Sequence, residues 1–263
     1  MRPYLCILGA RFRVQLQYRA AALAGTLTQL FWGLIRVMIF DGFYRSSTAV
    51  HPISLAQVVS YVWLSQAAFG MLPDRVEPEL RDMIRTGNVT SELLRPIDLY
   101  WSWFCRCLAM TLIPTLMRSG PLLAVAFAFL ELQTPPGAAS VLAAAAAFAG
   151  GMLVSSAITA LLSIGLFWTV SGDGLTRLSV AAAYLFSGMV LPIPLLPEAL
   201  QRAAALLPYR YVLDVPMRLY LGHIPASEAP MHLAAQLAWL LVLVAAGRGV
   251  LSRGLGRLVV QGG

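Results

Sequence analysis

Apolar residues run along this chain in long blocks separated by short polar or charged stretches, and the blocks have the length of helices that cross a lipid bilayer. A helix rises ~1.5 Å per residue, so about twenty apolar residues cover a ~30 Å hydrocarbon core. The pattern predicts six spans, at about 21–40, 54–72, within 108–132, 138–170, 175–191 and 231–246. Pro114, Arg118 and Pro121 interrupt the third, which starts either near 108 or near Arg118, the latter leaving 98–114 as an interfacial helix. Ahead of the first span, Leu5, Leu8, Phe12 and Leu16 share one face at helical spacing while Arg11, Gln15 and Arg19 fall on another. Residues 1–20 are therefore expected to lie in the headgroup plane, apolar side down, the alternative being a cytosolic tail. The expected fold is all-α and polytopic, a single transmembrane domain over 1–263.

Composition agrees. Hydrophobic residues make up 59% of the chain and charged ones 12%, against roughly 25% charged in a soluble domain. The net charge of +7 comes from nineteen basic residues, all arginine. Arg2, Arg11, Arg13, Arg19, Arg75, Arg81, Arg85, Arg95, Arg106, Arg177, Arg248, Arg253 and Arg257 fall on one side of the six-span topology. Only Arg45, Arg202, Arg210 and Arg218 fall on the other, and Arg36 and Arg118 lie in or beside spans. The arginine-rich side is cytosolic by the positive-inside rule, which puts both termini in the cytosol of a bacterial inner membrane and leaves no need for a nucleic-acid partner. No signal-peptide core follows the basic start. Cys6, Cys105, Cys107, His51, His223 and His232 have no ligand spacing, so no metal site is expected. No His-Glu-x-x-His, Gly-x-Ser-x-Gly or intramembrane aspartate pair points to an enzyme. The spans carry almost no carboxylate, which disfavours an ion-coupled secondary transporter or channel.

Ala143, Ala147, Gly151, Ser155, Thr159 and Ser163 form one i+4 row in the fourth span, a surface on which another helix backbone, in this subunit or a partner, can approach closely. Arg36, well inside the first span, faces a cavity, a partner charge or the outer surface by snorkelling. Gln29, Ser60, Ser65 and Gln66 are candidates to line the same interior, together a possible pathway.

Two segments leave the span pattern. Residues 74–106 form the only strongly charged stretch, and 74–98 its cytosolic loop. Pro78 suits a first helical turn, Glu77 and Glu79 favour its positive end, Arg81 and Arg85 lie near its other end, and Gly87 stops it. Thr90 or Ser91 is expected to cap a second short helix that Pro96 ends. Leu80, Met83, Ile84, Leu93 and Leu94 put apolar surface on this charged knob, with Arg95 beside it, which marks a binding surface, the alternative being a solvated loop folded onto the bilayer. On the outer side, 192–230 holds Pro192, Pro194, Pro197, Pro208, Pro216, Pro225 and Pro230. One short helix opens at Pro197 and closes at Pro208; another runs from about Tyr211 to Leu221 and stops at Gly222. Helices of half the membrane thickness imply a re-entrant hairpin packed in protein. Arg210, Asp214 and Arg218 are spaced so that one carboxylate serves two guanidiniums, read as local structure.

Met83 to Gly87 (Met-Ile-Arg-Thr-Gly) followed by Glu92 to Pro96 (Glu-Leu-Leu-Arg-Pro) is similar to the cytosolic motif of type-2 ABC exporter permeases, specifically a six-span, viologen-exporter-like branch. Phe167 to Val170, Ser187-Gly188, Leu207 to Tyr209, Pro216 and Tyr220 to Gly222 resemble that branch in order and spacing, so the resemblance covers essentially the whole chain. It implies an exporter subunit whose 74–98 segment is the coupling helix, moving an amphiphilic or hydrophobic substrate such as a drug, lipid or peptide. It also implies a second permease subunit, identical or paralogous, and a dimer of ABC ATPase subunits that carries the ATP and Mg. The sequence agrees independently: a P-loop needs a lysine, and this chain has none, so it binds no nucleotide cofactor in that way. The alternative is a secondary transporter or channel, or a non-transporting membrane scaffold.

Overall fold

A computed structural model describes residues 2–17, 19–47, 51–169 and 173–256. They form α1 (Arg2–Leu16), α2 (Arg19–Ser46), α3 (Leu55–Ala67), α4 (Pro78–Thr86), α5 (Val89–Leu93), α6 (Leu99–Phe129), α7 (Ala138–Gly165), α8 (Asp173–Phe186), α9 (Glu198–Ala205), α10 (Asp214–Tyr220) and α11 (Ala229–Leu255), with no strand among the described residues. The side chains of Arg2, Gln15 and Arg19, and residues Val170 and Arg257, for which the sequence made assignments, lie outside the described set.

Four helices, α2, α6, α7 and α11, are long and apolar enough to cross a membrane. α6 settles the ambiguous third span: it is one helix of 31 residues that runs through Pro114 and Pro121. Its start is fixed by Asp98, whose carboxylate accepts the Trp101 N–H at 3.0 Å. The prolines are tolerated because α2, α3 and α7 pack along the same helix. α11 outlasts its expected end at 246, since Arg248 donates to Asp98 at 3.0 Å and ties the last turns to the foot of α6.

The second and fifth predicted spans sit on shorter helices. α3 has 13 residues and α8 has 14, about 20 Å each at ~1.5 Å per residue. α3 begins in a capping box between Ser54 and Gln57 and gives way to a 3₁₀ turn at Phe69–Met71. There Gly70 lies against Thr115, near the middle of α6, and the Ser155 hydroxyl donates to the Met71 carbonyl near the middle of α7. The chain then runs through Leu72, Val76 and Glu77, all buried, before α4 begins. Non-helical backbone at this depth persists only inside protein, and α6 and α7 supply that environment.

α7 is the centre of the bundle. It packs against α11, α10 and α6, and all six members of its small-residue row are buried. Ala143 and Ala147 touch a cluster containing Tyr211, Val215 and Leu219, and Gly151 lies directly against the carbonyls of Tyr211 and Val212. Gln236 of α11 donates to Ala147 O at 2.8 Å and to Tyr211 O at 2.9 Å, clamping the three elements together. Farther along, the Ser163 hydroxyl accepts the Glu77 N–H at 3.1 Å. The row therefore packs within this subunit. Gly151→Leu forces these backbones apart and is expected to cost ~1–3 kcal/mol or more, seen as a lower melting temperature of the detergent-purified protein. Leu142→Ala, at an exposed position of the same helix, is expected to change it little.

Candidate functional site

The charged knob is built locally by capping. Glu77 is the N-cap of α4, its carboxylate accepting the Leu80 N–H at 2.7 Å, with Pro78 in the first turn. Gly87, at φ 74°, ends the helix in the left-handed region that glycine enters without steric cost. The expected cap of α5 is corrected: Asn88 precedes the helix, without a side-chain cap bond. The Thr90 and Ser91 hydroxyls instead donate back to Gly87 O and Asn88 O, because Gly87 hands the chain straight into the next turn. Leu80 is fully buried, and Met83 and Ile84 pack half-buried on the main core. Leu93 and Leu94 point outward, 49% and 87% exposed, beside exposed Arg85, Arg95 and Pro96. Arg81 is half-buried.

What holds the knob to the bundle is a network of charges whose pairing the residue pattern does not announce. Arg106, near the foot of α6, donates through Nη2 to both carboxylate oxygens of Glu92 at 2.8 and 2.9 Å, and Nη1 lies 3.4 Å from Glu79. Both Arg106 and Glu92 are buried. Arg95 reaches the same Glu92 carboxylate at 3.1 Å from the exposed side. Arg11 of α1 lies 3.4 Å from Glu77 and also pairs with Glu79. Burial pushes the Glu77 carboxyl above the usual range, while the Leu80 amide and Arg11 oppose the rise. The position of Arg106 was the available signal, since an arginine among Trp103, Phe104 and Cys107 must find a carboxylate.

This network also corrects α1. Arg11 turns inward to the glutamates, so Leu8 and Leu16 are half-buried while Leu5 and Phe12, placed on the same face, are exposed with Val14. The Tyr4 hydroxyl accepts the Asp98 N–H at 3.2 Å, and α1 runs beside the first half of α6.

On the opposite side, Asp214 is fully buried at the start of α10. Arg218 lies 3.6 Å from its carboxylate, as the spacing predicted, but Arg210 does not complete the set. Arg210 belongs to a 3₁₀ turn, Pro208–Tyr211, and so loses α-helical register with Asp214; its guanidinium lies over the Tyr211 ring, 5.5 Å from the centroid. The second partner is Tyr61 of α3, whose hydroxyl donates to Asp214 at 2.9 Å. Gly188, at φ 83°, lies against that hydroxyl, where a side chain would displace it. Arg218 also donates to His223 Nδ1 at 3.0 Å. Pro197 precedes α9, Pro216 is buried within α10, and Gly222 follows α10 at φ 71°.

Arg36 makes no ion pair among the described residues. It donates to Ser65 Oγ at 3.0 Å and to Val190 O at 3.1 Å, joining α2 and α3 to the segment after α8. Ser60 accepts the Gln133 N–H at 2.9 Å, and Gln29 and Gln66 are buried. Four of the five proposed lining residues are thus closed inside the subunit in this conformation, and Arg36 is half-exposed.

A helical bundle with four helices long and apolar enough to cross a membrane, a charged ledge at one end and the proline-rich 192–230 segment at the other, is the architecture of a polytopic membrane protein. Residues 30–262 match the family described as ABC-2 family transporter protein, and the chain belongs to that family. It is the membrane subunit of an ABC transporter, a class that works with an ABC ATPase subunit. No curated protein shows a significant sequence match to the chain.

Breaking the buried pair from one side leaves an uncompensated charge, which costs about 3–5 kcal/mol. In Glu92→Gln, hydrogen exchange of the 78–93 amides is expected to rise well above wild type while that of α7 and α11 stays unchanged, as read by mass spectrometry in detergent. Uniformly raised exchange throughout the bundle would show that the pair supports the whole fold rather than the ledge.

Proposed function

We propose that this chain is the permease of an ABC exporter in a bacterial inner membrane, with both termini in the cytosol, and that 74–98 is the surface on which the ATPase subunits dock. The observation that carries this reading is an exposed Leu93–Leu94 pair on a segment anchored to α6 by buried Arg106 and Glu92. An apolar pair in water favours a partner, and a rigid anchor lets movement of that partner reach the spans. Glu77, Leu80, Met83, Ile84 and Gly87 shape the ledge, while Arg81, Arg85, Arg95 and Pro96 rim it. ATP and Mg belong to the partner ATPase, because this chain contains no lysine for a P-loop.

In this reading α3 with the buried segment after it, and α8 with the turn after it, are the second and fifth of six crossings. α1, with exposed Leu5, Phe12 and Val14, lies against the inner leaflet. The 192–230 segment is a re-entrant hairpin on the outer face, seated on α7. Two permease subunits, identical or paralogous, enclose a pathway for an amphiphilic or hydrophobic substrate, and opening exposes Gln29, Arg36, Ser60, Ser65 and Gln66 to it.

Leu94→Asp places a charge in the centre of the proposed docking surface without touching a buried side chain. It is expected to lower recovery of the ATPase in pull-down at least tenfold, or to uncouple hydrolysis from export, while the purified permease keeps its melting temperature. Wild-type ATPase recovery and coupled export in Leu94→Asp would remove 74–98 from the docking role.

A further inference from the structure

Two arginines on the long helices have no counter-charge among the described residues. Arg36 lies within α2 and Arg118 within α6, and neither makes an ion pair among the described residues. Asp41 is the sole carboxylate on α2, α6, α7 and α11, and it is taken by Arg45 at 2.8 Å, at the far end of α2. Both lie along one face of α2, Arg36 carried by it and Arg118 reaching it from α6. The Arg118 guanidinium lies against Gly25, and Gly25 and Arg36 are three turns apart on the same side, about 16 Å along the axis. Gln29 falls between them on that face and is buried.

Several of these polar groups lack partners. Arg118 Nε is buried with no hydrogen-bond partner among the described residues, and so is Oε1 of Gln66, a residue only 3% exposed that follows Ser65 on α3. Arg36 commits one donor to Ser65 and one to Val190 O, leaving further guanidinium protons of its five. The Val190 contact lies at the exposed edge of the bundle, so Arg36 is reachable from the bilayer. In a low-dielectric setting an uncompensated cation attracts an anion and repels another cation over several ångströms.

We propose that this face of α2 receives the negatively charged headgroup of an amphiphile, with Arg118 and Arg36 as two successive stations and Gln29 between them. The inference deepens the permease reading, on which it rests, by naming the substrate class: an anionic amphiphile bearing a carboxylate, sulfate or phosphate on an apolar tail. A lipophilic cation is excluded by the same charges. The apolar tail has a surface to follow, because Trp32 and Ile39 are exposed beside the polar face of α2.

The test uses the purified full-length permease in nanodiscs of neutral phosphatidylcholine, which requires no ATPase. Trp32 is on α2 and Trp63 packs on Gly33 of α2, so with Trp101, Trp103, Trp168 and Trp239 replaced by phenylalanine the remaining emission reports occupancy of this region. Quenching is titrated with a doxyl-labelled alkyl sulfate and with a doxyl-labelled alkyltrimethylammonium of the same chain length. The sulfate is expected to reach half-maximal quenching at roughly tenfold lower mole fraction. Arg36→Gln and Arg118→Gln are each expected to shrink that ratio to about threefold or less, and Arg36→Lys to retain it. Added phosphatidylglycerol identifies the occupant: competition assigns the face to a bilayer phospholipid, and failure to compete assigns it to a single-chain amphiphile, both keeping the anionic preference. Equal quenching by the two probes, a preference for the cation, or an unchanged ratio in both glutamine variants overturns the proposal. Loss of charge preference with ATPase association intact sinks this inference alone. Failed ATPase association with the preference intact sinks the permease reading instead.

Discussion

Inside a bilayer a polypeptide cannot pass its unpaired amides and carbonyls to water, so wherever the chain leaves helical geometry a neighbouring element must hold it. In this protein that neighbour is α7. Its alanines, glycine and hydroxyl residues leave room for other backbones to come close, and its polar members meet what those backbones expose. Gly151 admits the Tyr211 and Val212 carbonyls, Ser155 satisfies Met71 O, and Ser163 accepts the Glu77 amide. Gln236, reaching across from α11, closes the end away from the ledge. The hairpin at one end of the molecule and the ledge at the other are thus both seated on a single helix.

The two ends differ in how they are fastened beyond α7. At the ledge the fastening is ionic, with Arg106 and Glu92 buried and Arg11, Glu79 and Arg95 around them. Buried ion pairs add little net stability over apolar packing, but they fix one geometry sharply because any misplacement leaves a bare charge. That suits the coupling role proposed for the ledge, which requires movement to be passed on without yielding. At the hairpin the fastening is a single buried carboxylate, Asp214, shared between Arg218 of its own helix and Tyr61 of α3. α3 is also the helix whose chain continues, through the break at Gly70, into the ledge. The hairpin and ledge are therefore linked twice, once through α7 and once through α3.

Much of this was legible in the residue pattern, and the parts that were not share a physical cause. Apolar block lengths located α2, α6, α7 and α11. Pro78 and Gly87 bounded α4 because their backbone restrictions act locally, and Pro197 did the same at the start of α9. The small-residue row announced close packing, although not which partner would fill it. Pairings across long sequence separations stayed hidden: nothing near Asp214 in sequence names Tyr61, and nothing near Arg11 names Glu77 or Glu79. Arg210 was misassigned because the i, i+4 rule presumes an unbroken α-helix, and the 3₁₀ turn at Pro208–Tyr211 removes that premise. The break after α3 was hidden for a related reason: hydropathy continues through Phe69, Met71 and Leu72 while the backbone changes geometry.

If α7 is the strut that joins the two faces, the ledge and the hairpin move together during the nucleotide cycle. Spin labels at Asp82→Cys, an exposed ledge position outside the Leu93–Leu94 pair, and at Leu206→Cys, at the end of α9 in the hairpin, with Cys6, Cys105 and Cys107 replaced by serine, report this directly by pulsed electron resonance. The account predicts that their separation within one subunit changes by no more than ~2 Å between the nucleotide-free and ATP-bound complexes, as in rigid-body rotation. A change of ~5 Å or more, the size of one helical turn slipping past its neighbour, would contradict it.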